Sequence, residues 1–60
     1  MRLVKFNENG KPLWINPSHV VGVHESNRMK DMTDICTVKW IFTVEESVDE
    51  VVNKLDIWLS

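Results

Sequence analysis

Polar and apolar residues alternate from Leu3 to Phe6, with Leu3 and Lys5 facing one way and Val4 and Phe6 the other. Extended backbone points successive side chains to opposite faces, so a period of two predicts a strand over about residues 2–7. Asn9 and Gly10 both tolerate the positive φ that a tight turn between twisted strands demands, which predicts a hairpin. The returning strand, about residues 12–16, starts at Pro12, where a missing N–H does least harm. Asn16-Pro17 then redirects the chain. The asparagine side chain can accept a hydrogen bond from two residues on, and the proline fixes its own φ. A third strand follows over about residues 20–25, where Gly22 suits a bulge or a close backbone approach.

The stretch "SNRMKDMTD" is polar, aperiodic and loop-like, apart from Met29 and Met32. Residues 35–44 alternate again. Cys36, Val38, Trp40, Phe42 and Val44 form the face assigned to the core, and Ile35, Thr37, Lys39, Ile41 and Thr43 form the other. A turn near Lys39 would divide this run into two strands. From Ser47 the period changes. Val48, Val51, Val52, Leu55 and Leu59 make the stripe of an amphipathic helix over about residues 47–59. Ser47 and Glu50 have the spacing of a capping box, and Asp49 and Glu50 suit the positive end of the helix dipole.

The pattern predicts an α+β domain spanning residues 1–60, a small twisted antiparallel sheet of four or five strands followed by one C-terminal amphipathic helix. The expected core is Val4, Trp14, Ile15, Val21, Val23, Val38, Trp40, Phe42, Val51, Val52 and Leu55.

Length changes the picture. A chain of 60 residues buries only about 60% of the surface its unfolded form exposes. Ordering costs roughly 1.5 kcal/mol per residue, so a lone copy has little net stability. Cys36 is the only cysteine, which rules out an internal disulfide and a cysteine-pair metal site. Self-association is the remaining remedy, and a homo-oligomer is expected. The single thiol, the lack of a basic-then-apolar leader and the lack of a long apolar run predict a cytoplasmic protein with no membrane insertion.

Charge is lopsided. Residues 1–30 carry a net +3 and residues 31–60 a net −5, within an overall −2. Such asymmetry can orient copies or steer a charged partner.

No catalytic residues, metal ligands or cofactor site are expected. His19 and His24 lack the i, i+4 register of a helical metal pair, and no third histidine completes a shell. Cys36 falls on the face assigned to the core, where a thiol is inert. Glu45, Glu46, Asp49 and Glu50 fit capping and dipole roles at the helix start better than acid–base chemistry. Neither glycine belongs to a phosphate loop. Candidate partner-binding residues are Met29, Lys30, Met32, Ile41 and Trp58, because methionine adapts to irregular partners and the Ile41 face lies outside the core. Candidate nucleic-acid contacts are Arg2, Lys5 and Lys39. Phe6 joins the first two on one strand, since a sheet bearing bases and aromatics can hold single-stranded RNA. The pI of about 5.5 weighs against that reading.

The segments "LVKFNENGKPLWINPSHVVGVHE" and "TVEESVDEVVNKL" cover roughly two-thirds of the chain. In order and motif they resemble the FlbD-type (SwrD-like) family of small flagellar accessory proteins, a pattern also seen in small phage-encoded proteins. That family looks like a strand and turn, an "NP" corner, a valine-rich strand, and a strand ending in "V-x-ES" before a helix. The resemblance implies that Trp14, Asn16 and Pro17 form the corner and that Val48, Val51 and Leu55 dock the helix. It brings no catalytic residues. The chain departs from the pattern in two places: no glycine turn precedes its last strand, and its loop over residues 26–34 is longer and more polar. The expectation is a non-catalytic protein-interaction module acting as a homo-oligomer. It would be either a flagellar accessory factor or a small phage-encoded inhibitor of a host protein or defence system. The alternative is a regulatory RNA- or nucleotide-binding protein with a site between protomers.

Overall fold

The computed structural model describes residues 3–55. Five strands precede one helix: β1 (Val4–Glu8), β2 (Lys11–Ile15), β3 (Val20–Glu25), β4 (Thr33–Thr37), β5 (Ile41–Val44) and α1 (Val48–Leu55). They form two antiparallel sheets, β1-β2 and β3-β4-β5, so the fold is small α+β.

Asn9 and Gly10 have φ of 52° and 80°, the two positive values that a two-residue hairpin needs. Glu8 therefore pairs with Lys11, Phe6 with Leu13 and Val4 with Ile15. Paired residues share a face, so Val4, Phe6, Leu13 and Ile15 all point inward. Hydrogen-bonded and non-hydrogen-bonded pairs alternate outward from the turn. This places the backbone of Pro12 toward the open edge of β2, where its missing N–H interrupts pairing with another strand. It turns the backbone of Asn7 toward β5.

At the corner, the Asn16 carboxamide oxygen accepts from the Ser18 backbone N–H at 3.0 Å and the Ser18 hydroxyl at 2.8 Å. A short 3-10 turn over Pro17–His19 follows. In β3 the register slips between Val20 and Gly22, so Val21 is the extra residue of a bulge. A Cβ on Gly22 would meet nothing within 4 Å. The bulge, not a close approach, is what this part of the chain contains.

The run over residues 35–44 does divide. Thr37 and Trp40 flank a two-residue turn in which neither Val38 nor Lys39 has positive φ. The Thr37 hydroxyl does the work that a glycine turn would otherwise do. It accepts from the Trp40 backbone N–H at 3.0 Å and donates to the Trp40 carbonyl at 2.8 Å.

The core comprises Phe6, Ile15, Ile35, Val44, Val51 and Leu55, with Val4, Leu13, Val20, Val23 and Phe42 packed around it. Several expected core residues are displaced to the surface: Trp14, Val21, Val38, Trp40 and Val52 are all exposed. Trp14 cannot be inside if its neighbour Ile15 is. The bulge turns Val21 out, and the turn lifts Val38 and Trp40 off the sheet. Ile35, expected outside, is fully buried because it pairs with Phe42. Phe6, named with Arg2 and Lys5 on the candidate nucleic-acid strand, is fully buried too.

Helix α1 begins with the capping box. The Ser47 hydroxyl accepts from the Glu50 N–H at 3.2 Å, and the Glu50 carboxylate accepts from the Ser47 N–H at 3.2 Å. Val51 and Leu55 face the core. The rest of the helix expected over residues 56–59 lies outside the described residues.

Candidate functional site

Two charged contacts close the sheets against each other, and they leave one apolar groove open. Glu45 and Glu46, expected to serve the helix start, instead grip the first hairpin. The Glu45 N–H donates to the Asn7 carbonyl at 2.8 Å, and its carboxylate accepts from the Gly10 N–H at 2.7 Å. Glu46 is buried. Its carboxylate accepts from the Asn7 N–H at 3.1 and 3.2 Å, from the Asn7 side-chain amide at 3.0 Å and from Lys54 Nζ at 3.4 Å. Burial is the largest single influence and pushes this carboxyl's pKa up. The Asn7 and Glu46 backbone N–H groups and Lys54 together outweigh it, leaving the pKa below the usual carboxylate value. Lys54 Nζ also sits 5.0 Å from the Phe6 ring centroid, and the Thr33 hydroxyl donates to the Glu46 carbonyl at 2.7 Å. These groups are fully engaged in joining β1, β5 and α1.

On the far side, β2, the 3-10 turn and the β4-β5 turn enclose a groove of about 480 Å³. Its walls are Trp14, Val38, Trp40 and Phe42, with His19 and Lys39 at the rim. Trp14 is 54% exposed, and Val38 and Trp40 are each 66% exposed. No carboxylate is among the described residues that line the groove. Lys5 pairs with Trp14 across the hairpin and so shares its outer face. Both lysines expected near nucleic acid among the described residues therefore lie on or beside the tryptophans. Sequence reasoning missed this groove because it placed Trp14 and Trp40 inside. The signal was present in Ile15, whose burial forces its neighbour outward.

The other candidates are spread out. Met29, Lys30 and Met32 belong to the β3-β4 loop, at the opposite end of β4 from the groove. There the Ser26 hydroxyl accepts from the Arg28 and Met29 N–H groups at 3.2 and 3.1 Å, and the Ser26 N–H donates to the Met32 carbonyl at 3.0 Å. Met29 is exposed, while Lys30 and Met32 line a hollow of about 380 Å³ with Ser47 and Val48. Ile41 stands on the outer face of β5, in one row with Cys36 and Gly22. Cys36, expected in the core, is only half-buried in that row. His24 and Asp34 form the next row with Thr43, whose hydroxyl donates to Asp34 at 2.7 Å. Arg2 and Trp58 lie outside the described residues.

Among the described residues, no group of three or more His, Cys, Asp or Glu is placed to hold a metal ion. No described helix is long and apolar enough to cross a membrane. Comparison with protein families, with curated proteins and with solved structures finds no match to this chain.

Proposed function

We propose that this chain is a non-catalytic protein-interaction module that works in the cytoplasm as a homo-oligomer. The observation that carries the reading is the exposed cluster of Trp14, Val38 and Trp40 around one groove. Large exposed apolar side chains gathered in one place mark interaction surfaces, whereas single ones do not. Tryptophan adds more binding energy at such surfaces than most residues. Self-association uses the outer face of β4 and β5 at Ile41, and the groove itself receives another protein. On the resemblance to FlbD-type proteins, that other protein is a flagellar component. On the phage version of the same pattern, it is a host protein or defence factor that the module inhibits.

Sedimentation velocity over a dilution series tests the self-association. The wild type is expected to run as a multimer that dissociates on dilution. Ile41→Lys is expected to run as a monomer with an unchanged circular-dichroism spectrum. A wild type that stays a folded monomer at every concentration would refute the oligomeric part of the proposal.

One observation favours a second reading, regulatory RNA or nucleotide binding: Lys39 and Lys5 flank two exposed tryptophans on which bases could stack. That reading requires affinity for an RNA oligomer that falls steeply with added salt and weakens in Lys5→Glu.

A further inference from the structure

We infer that the groove between Trp14 and Trp40 takes a peptide segment in which a large apolar side chain is flanked by carboxylates. The inference rests on the interaction-module reading and names the partner's chemistry. Two features carry it.

The first is the shape and lining of the groove. At about 480 Å³ it has the size of a site for one bulky side chain and its neighbours. Its walls are indole, phenyl and aliphatic groups, which reward an apolar anchor. The described lining holds a single lysine, too few cations to follow a run of phosphates.

The second is charge. The protein is acidic overall, with a net charge of −2. Yet Lys39 lies on the rim and Lys5 on the adjoining face, and no carboxylate is among the described residues that line the groove. The hollow between β1 and α1 is the reverse, with Glu45, Glu46 and Glu50 outnumbering Lys54 among its described lining residues. These two surfaces therefore differ in the sign of their charge. An acidic segment is attracted to the tryptophan groove and repelled from the opposite hollow, which orients it.

The test uses the full chain and three fluorescein-labelled probes. The first is an octapeptide with one central phenylalanine flanked by leucine and aspartate. The second is the same peptide with lysine for every aspartate, and the third is an octamer of uridine RNA. Fluorescence anisotropy gives affinity, and protein tryptophan emission reports whether the groove is occupied. The acidic peptide is expected to bind roughly tenfold or more tightly than the lysine peptide. Lys39→Glu is expected to reverse that order, and Trp40→Ala to weaken both peptides at least about tenfold. Both side chains are exposed, so the variants should fold, and circular dichroism checks this.

Equal or stronger binding of the lysine peptide would overturn the inference and leave the interaction module standing. Binding of the RNA alone would overturn both. If no probe binds and Trp40→Ala shrinks the assembly in sedimentation, a second copy fills the groove. The inference then falls while the module survives. If no probe binds and Trp40→Ala changes nothing, the groove takes no partner and the inference fails outright.

Discussion

Replacing Glu46 should show how much of this fold depends on one carboxylate. The side chain is 8% exposed and receives hydrogen bonds from the Asn7 N–H, the Asn7 side-chain amide and Lys54. A hydrogen bond to a charged group contributes about 1.5–3 kcal/mol net. Lys54 is 40% exposed, so solvent screens its pairing, and that pair contributes at most about 1 kcal/mol. The Asn7 contacts therefore dominate. Glu46→Ala removes the charged acceptor of the Asn7 N–H and side-chain amide, and should cost about 2–3 kcal/mol. Glu46→Gln keeps an acceptor but loses the charge, and should cost about 1.5–2 kcal/mol. A domain of this size has roughly 3–9 kcal/mol to lose. Urea titration should show both variants shifted to lower midpoints with unchanged slope.

The pH dependence gives an independent check. The Glu46 pKa is lowered from its ordinary 4.5 in the folded chain, so at mildly acidic pH the unfolded state binds more protons. The stabilisation is complete above about pH 4.5 and is lost as pH falls through the lower folded value. Wild-type stability should thus drop more steeply below about pH 4.5 than that of Glu46→Gln. If Glu46→Gln matches the wild type in urea midpoint and in acid sensitivity, the clasp contributes nothing and this account of how the two sheets are joined is wrong.

Three other outcomes follow from the same structure. Ile35→Ala, at a fully buried site, should cost about 2–5 kcal/mol by thermal or urea unfolding, whereas Trp40→Ala should cost less than about 1 kcal/mol because its side chain is largely in solvent. Thr37→Val removes the hydroxyl that holds the Val38–Trp40 turn. It should lower stability by about 1 kcal/mol and speed amide exchange at Trp40. Ser47→Ala deletes the cap on the Glu50 N–H and should cost about 0.5–2 kcal/mol, read as a lower helical signal and thermal midpoint.

The features that sequence alone determined are those written within a few neighbouring residues. Asn9-Gly10 makes a hairpin because both residues tolerate positive φ. Asn16-Pro17 makes a corner because one side chain reaches two residues on. Ser47 and Glu50 cap a helix because they stand three apart, and Val51 and Leu55 share its inner face because they are one turn apart. Each rests on geometry within one turn of chain, so no distant partner was needed to foresee it.

Tertiary structure decided which side of each strand lies inside. In an extended segment that choice depends on counting by twos, and any inserted residue reverses it. The turn at Val38-Lys39 sets Cys36 opposite Ile41, so odd positions of β4 share a face with even positions of β5. Ile35 and Phe42 go in together, while Trp40, on the same side of the chain as Phe42, lies in the turn beyond the paired residues and stays exposed. The bulge at Val21 does the same to β3. The grip of Glu45 and Glu46 on a hairpin 35 and 39 residues away likewise carries no local signature. The tryptophan groove is the sum of these long-range choices, assembled from β2, the 3-10 turn and the β4-β5 turn. It became visible only once the chain had folded them side by side.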